Sequence, residues 1–220
     1  IVLIHAINPY GFAWTRRVTE DNVDLNRNFV ADHARAPANA DFEVLYPSLL
    51  PAAWTETLDG TAASVWQALD VYAAEHGAFA MQAALSRGQY THPDGPFFGG
   101  RGAGWSNVTF RDIVGRFVRP AEHVLFLDFH TGLGPYGHAE LISKREPGSP
   151  ELVRLQHWFG PAVRSSAAGE STSPMISGLI AHGLRDELAG DSVSALTVEV
   201  GTYALRDVLT AVIADNWLYA

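Results

Sequence analysis

HVLFLDFH, residues 123–130, is the strongest strand signal in the chain and the feature that most limits what the chain can fold into. Val124 to Leu127 is apolar without alternation. A strand covered on both faces needs that pattern, and such strands sit in the middle of parallel sheets. ALTVEV (195–200), stopped by Gly201, reads as a second buried strand. IVLIHA (1–6) reads as a third, and HAELIS (138–143) as a further, edge strand. Between them the period changes. Val65, Trp66, Leu69, Tyr72 and Ala73 recur at helical steps within 61–86, and residues 150–160 and 176–189 also read as helices. Leu205, Val208, Leu209, Val212, Ile213 and Trp217 trace a final amphipathic helix. Strands alternating with helices predict an α/β domain with a mixed, mostly parallel sheet and helices on both faces. Residues 7–45 and the Gly/Pro-rich 87–106 read as loops.

A chain of 220 residues can bury a real core, and one domain over residues 1–220 is expected. With 47% hydrophobic and 18% charged residues, it should fold rather than stay disordered. A net charge of -9 and the absence of any Lys/Arg run argue against nucleic acid as a partner. There is no cysteine, so disulfides, thiolate metal sites and cysteine nucleophiles are excluded. Any metal must be held by histidine and carboxylate. No apolar run approaches the roughly 20 residues of a membrane span, so no membrane partner is expected. Together with the missing cysteines and signal peptide, this favours the cytoplasm. The chain opens on IVLIHA without a Met, and a preceding segment is expected.

Ligands of α/β sheets bind beyond the carboxyl ends of the strands. Three strands run into polar groups there. LDFH ends in Asp128 and His130, which share a face because side chains alternate. A neutral imidazole oriented by a carboxylate suits a metal; a strand-end histidine bonded to a loop carbonyl is the plainer alternative. TVEV carries Glu199, which must be paired or hydrogen-bonded if buried. It is either a general base or half of an ion pair with Arg17 or Arg27. IVLIHA leads into a loop with Arg16, Arg17 and DNVDLNRNF (21–29). An arginine fork beside an asparagine amide suits an anion. The alternative is a loop stitched by Asp24–Arg27 and Glu20–Arg16 pairs. In that loop Asp24 is expected to orient rather than to react. GGRGAG (99–104) lacks the strand and the GK[ST] of a phosphate loop, and no G-x-S-x-G occurs. His33, His76, His92, His123, His157 and His182 read as surface or packing residues. His138 and Glu140 alternate on one face of HAELIS.

NPYGF, then Arg17, then DLNRNF, LDFHTG and TVEVGTY, in that order, resemble the zinc carboxypeptidase superfamily of the carboxypeptidase A type. HAINPYGFAWTRR, PDGPFFGGRGAGWSN, FHTGLGPYG and ADNWL resemble a poorly characterised bacterial branch labelled a domain of unknown function. The resemblance implies a three-layer fold and hydrolysis of a peptide or amide bond with one Zn2+ ion. It gives His130 the role of a zinc ligand, with Asp128 behind it, and Glu199 that of general base. Arg17 would steady the substrate oxyanion, and Asn26 and Arg27 would bind the carboxylate of a peptide or small amide. Zinc held by three protein ligands keeps a fourth position for water.

The family takes its other two ligands from H-x-x-E, and no histidine here has glutamate three residues on. That motif is expected upstream of Ile1, with further chain after the final helix. Residues 1–220 by themselves are therefore expected to be metal-poor and inactive. No tyrosine is assigned a catalytic role, although Tyr136 and Tyr203 lie near the motifs. Rival expectations are an N-acyl amino acid deacylase of the aspartoacylase or succinylglutamate type, a non-catalytic anion-binding module, and a purely structural domain.

Overall fold

The computed structural model describes residues 1–51, 58–171, 174–188 and 192–220. The chain divides into two compact units. One holds residues 1–3, 109–175 and 181–208; the other holds 4–108, 176–180 and 209–220.

The first unit is built on a mixed sheet of four strands: β1 (Val124–Gly132), β2 (Ala139–Ser143), β3 (Val163–Ser165) and β4 (Val193–Gly201). Their order is β1-β4-β2-β3. β1 runs parallel to β4 and β2 parallel to β3, while β2 and β4 are antiparallel. Helix α6 (Pro150–Phe159) starts at Ser149, whose hydroxyl accepts from Leu152 N, with Pro150 in the first turn. Its apolar face packs Leu152 and Leu155 on Val163 and Leu196, with Leu141 and Phe159 at the margin. The opposite face of the sheet, one residue out of phase, meets Phe110, whose ring lies edge-on to Phe126 at 5.9 Å. Helices thus cover both faces of the sheet, as a three-layer α/β fold requires. Glu151 is buried and ties three elements: one oxygen accepts from Ala195 N of β4 (3.0 Å) and from Arg185 of helix α7 (Ile180–Glu187; 2.7 Å).

The second unit contains α1 (Pro9–Trp14), α2 (Ala40–Leu49), α3 (Leu58–His76) and α4 (Ala78–Ser86), and α2, α3 and α4 pack on one another. α3 and α4 are separated at Gly77, whose φ of +94° only glycine adopts without strain. α5 (Trp105–Ile113) and α8 (Leu205–Tyr219) each run from one unit into the other. Arg16 anchors the C-terminal helix of this unit with its Nε on Asp215, at 2.9 and 3.1 Å to the two oxygens. That pair replaces the expected Glu20–Arg16 pair. No helix of the described residues is long and apolar enough to cross a membrane.

The α/β class, helical structure over 61–86, the final helix and the strands at 123–130 and 195–200 agree with the sequence expectation, the helical stretch being divided into α3 and α4. Several assignments need correction. IVLIHA forms no strand, and Ile1 and Leu3 are exposed. A β-branched run becomes a strand only when a neighbour takes its hydrogen bonds. The supposed loop 7–45 contains α1, two 3-10 turns (Leu25–Arg27 and His33–Arg35) and the start of α2, each begun by an Asn or Asp side chain that caps it. HVLFLDFH is not a central strand. Among the described residues β1 pairs only with β4, and Leu125, Leu127 and Phe129 are exposed. HAELIS is not an edge: β2 lies between β4 and β3. The short β3 carries too few residues to show a period.

Candidate functional site

In the first unit the parallel ladder puts His130 and Glu199 in register as Cα partners. The same row continues across the antiparallel pair to Glu140, the partner of Glu199 on β2. Residues paired directly across a sheet project to the same face, so His130, Glu199 and Glu140 form one row. Asp128, two residues before His130, shares that face.

His130 Nε2 is 2.7 Å from Asp128 Oδ2. An ionised carboxylate only accepts, so Nε2 carries the hydrogen. In a neutral ring that makes Nδ1 the acceptor, and Nδ1 faces Glu199 Oε2 at 3.9 Å. Two electron-rich atoms face each other across that gap, an arrangement favoured by a proton or a cation between them. The other carboxylate oxygen, Oε1, accepts from Leu133 N at 3.2 Å. The site is half-buried, with side-chain exposures of 24% for His130 and 16% for Glu199.

Glycines make room for it. A Cβ at Gly132 would land on Glu199 Oε1, and one at Gly201 would land on the carbonyl oxygens of Gly134 and Pro135. Gly132 and Gly201 are themselves partners in the ladder, and Gly132 O accepts from Thr202 N (2.9 Å) and Thr202 Oγ1 (2.8 Å). The strand ends therefore share one pattern: FHTG and VEVG each place a functional side chain, one spacer and a glycine. In the sequence Gly201 marks only the end of a strand; the space that Gly132 and Gly201 leave shows only in the fold.

The second unit holds the arginine loop. Asp24 is buried, and its Oδ2 accepts from Arg17 Nε at 2.9 Å while Arg27 Nη1 lies 3.9 Å away. Its Oδ1 accepts from Asn26 N at 3.0 Å, which starts the 3-10 turn. Burial alone would raise the Asp24 carboxyl. The charges of Arg17 and Arg27, with the hydrogen bonds from Arg17 and Asn26, outweigh it and hold Asp24 below the ordinary carboxylate range.

Arg27 is also buried, and burial pushes its guanidinium down to about 10 against the pull of Asp24. Its Nε and Nη2 both donate to Ser86 O, the last carbonyl of α4, and its Nη1 to Asn26 O. A guanidinium on a helix C-terminus satisfies an orphan carbonyl and opposes the helix dipole. The backbone of Arg27 is fixed too, with its carbonyl accepting from Tyr90 OH at 2.7 Å. Asn26 Oδ1 accepts from Ile180 N at 2.8 Å. Arg17 differs from both: its side chain is 37% exposed.

Two partners of this loop were not legible as site residues. Asn28 is fully buried and organises the glycine loop 99–104. Its Nδ2 donates to Gly99 O and Gly102 O, both at 2.8 Å, and its Oδ1 accepts from Gly104 N and Asn107 Nδ2, both at 3.0 Å. GGRGAG is thus a loop scaffolded by Asn28. Phe97 lies under the arginines, with guanidinium carbons 5.1 Å (Arg17) and 5.6 Å (Arg27) from its ring centroid. Its φ is +57°, a left-handed conformation that costs a bulky residue about 1–3 kcal/mol.

A zinc centre needs at least three protein ligands. Among the described residues, no group of three or more metal-ligating side chains exists. His130 Nδ1 and Glu199 offer one nitrogen and a neighbouring carboxylate, so these residues do not by themselves make a zinc site.

A family model described as "Protein of unknown function (DUF2817)" matches residues 1–220. No curated protein and no solved structure matches the chain.

Proposed function

The chain belongs to that DUF2817 family, and we propose that it is the part of a zinc-dependent hydrolase that carries the general base and the substrate-anion loop, acting on a peptide or amide bond. The observation that carries this reading is the pairing of His130 with Glu199. A carboxylate-oriented imidazole and a half-buried carboxylate face each other at 3.9 Å on adjacent strands. The order of NPYGF, Arg17, DLNRNF, FHTG and VEVG supports it.

Zinc, when bound, supplies an electrophile for the carbonyl oxygen and lowers the pKa of a bound water to about 7. His130 would be one of its ligands, and the others have to come from outside the described residues. Glu199 accepts a proton from the attacking water and returns it to the leaving amine. Leu133 N fixes one of its oxygens, so the other is presented in a set orientation. Asp128 holds the His130 ring and its tautomer. On the substrate side, Arg17 offers a guanidinium to the oxyanion or carboxylate, with Asn26 and Arg27 as its neighbours in the loop.

The test is metal analysis and amide hydrolysis by the intact gene product, with and without Glu199→Gln. Stoichiometric zinc and loss of turnover in E199Q are expected. An intact protein that carries H-x-x-E yet binds no zinc, or full turnover in E199Q, would overturn the proposal. Kinetics on peptides against N-acyl amino acids separate a carboxypeptidase from the deacylase alternative.

A further inference from the structure

Three charged groups, Arg17, Asp24 and Arg27, cluster beside the ring of Phe97. Arg17 and Arg27 both lie over Phe97, and Asp24 lies against both arginines. Two cations and one anion leave one positive charge in excess. Asp24 and Arg27 are buried, so that charge can reach a ligand only through Arg17. The donors of Arg27 are directed at Ser86 O and Asn26 O, which makes it a strut between the loop and the end of α4.

Phe97 is held as firmly. Its carbonyl accepts from Gln89 N at 3.2 Å, and the carbonyl of Phe98 accepts from Asp24 N at 2.8 Å. Gln89 is buried and bonds the turn before it, accepting from Thr91 N and His92 N and donating to His92 O. A left-handed position is filled at least cost by glycine. In PDGPFFGG, Gly100 takes a φ of +87° at no such cost, whereas Phe97 takes its +57° with a full side chain. The strain is offset by what the ring does: an aromatic face attracts a guanidinium and fixes its plane.

We infer that Phe97 is a positioning residue for anion binding. With Arg27 as strut and Asp24 as hinge, its ring holds Arg17 ready for a single carboxylate or oxyanion. This rests on the proposal that Arg17 meets the substrate, and it assigns the anion contact of the loop to Arg17 and a supporting role to Arg27.

The test uses the intact protein and two probes, N-benzoylglycine and its uncharged amide, with both dissociation constants measured by calorimetry. The ratio of the two reads the anion contact alone. Ring-fluorinated phenylalanine at position 97 keeps the shape of the side chain and weakens the negative face. A preference for the acid that falls about two- to fivefold on fluorination, with an unchanged urea midpoint, is the expected result. Arg17→Gln should abolish the preference. If R17Q abolishes it and fluorination leaves it intact, Phe97 is only a packing residue and the inference fails while the anion contact stands. If the unmodified protein shows no preference for the acid, the anion contact itself fails and the inference falls with it.

Discussion

His130 and Glu199 are partners in the parallel ladder between β1 and β4, and their side chains approach to 3.9 Å between Nδ1 and Oε2. Sixty-eight residues of chain separate them, and the register of two strands brings them together. A slip of one residue would send one of them to the other face of the sheet. The chemistry proposed for this protein therefore depends on features that fix the register, and the first prediction concerns the carboxylate itself.

Glu199→Gln keeps an oxygen able to accept from Leu133 N but cannot take a proton. Turnover of an amide substrate by the intact protein should fall by about 10²- to 10⁴-fold, the contribution of a positioned base. The thermal midpoint should stay close to that of the unaltered protein. Steady-state kinetics with parallel thermal melts check both.

Gly132→Ala tests the space beside that carboxylate. The new Cβ would occupy the position of Glu199 Oε1. The carboxylate has to swing away, so turnover should drop at least tenfold, as expected when a reacting group is misplaced by about 1 Å. Far-ultraviolet circular dichroism should stay unchanged. Normal kinetics in G132A would show that Glu199 need not hold this position.

Asp24→Asn leaves Arg17 and Arg27 beside each other without their shared anion. Breaking a buried pair by removing one partner costs about 3–5 kcal/mol, and urea denaturation at pH 7 should show a loss of that size. The sign with pH follows from the depressed carboxyl. Its stabilisation is complete above the unfolded value of about 3.9 and is lost as pH falls through the lower folded value. The gap between the two proteins should therefore narrow in acid. A gap that is constant from pH 7 to pH 2 would contradict a charged Asp24.

Asn28→Ala removes three side-chain hydrogen bonds to the 99–104 loop and one to Asn107, and leaves the Gly99 and Gly102 carbonyls and the Gly104 N–H to find new partners. Orphaned buried groups cost about 1–3 kcal/mol each, partly recovered by water. A net loss of about 2–4 kcal/mol in the urea midpoint analysis is expected. The loop should become the first site of proteolytic cleavage, read by limited digestion and mass spectrometry.

By itself the sequence determined the class of the fold and the residues worth watching. Period and apolar content are local properties, so the α/β alternation, α3 and α4, and the cores of β1 and β4 could be read from neighbours in the chain. Asp128, His130, Glu199 and the DLNRNF loop stood out because polar groups rarely interrupt such segments without a purpose.

Tertiary structure alone decided the rest. The place of β1 at the edge of the sheet depends on which strand finds it, and its apolar composition carries no record of that. IVLIHA has the residues of a strand, yet among the described residues it forms none. The sharing of Asp24 between two arginines, the capping of α4 by Arg27 and the placing of Phe97 beneath Arg17 join segments up to 80 residues apart. A single side chain cannot signal a partner at that distance, because burial and hydrogen bonding are settled by the whole fold rather than by the residues beside it.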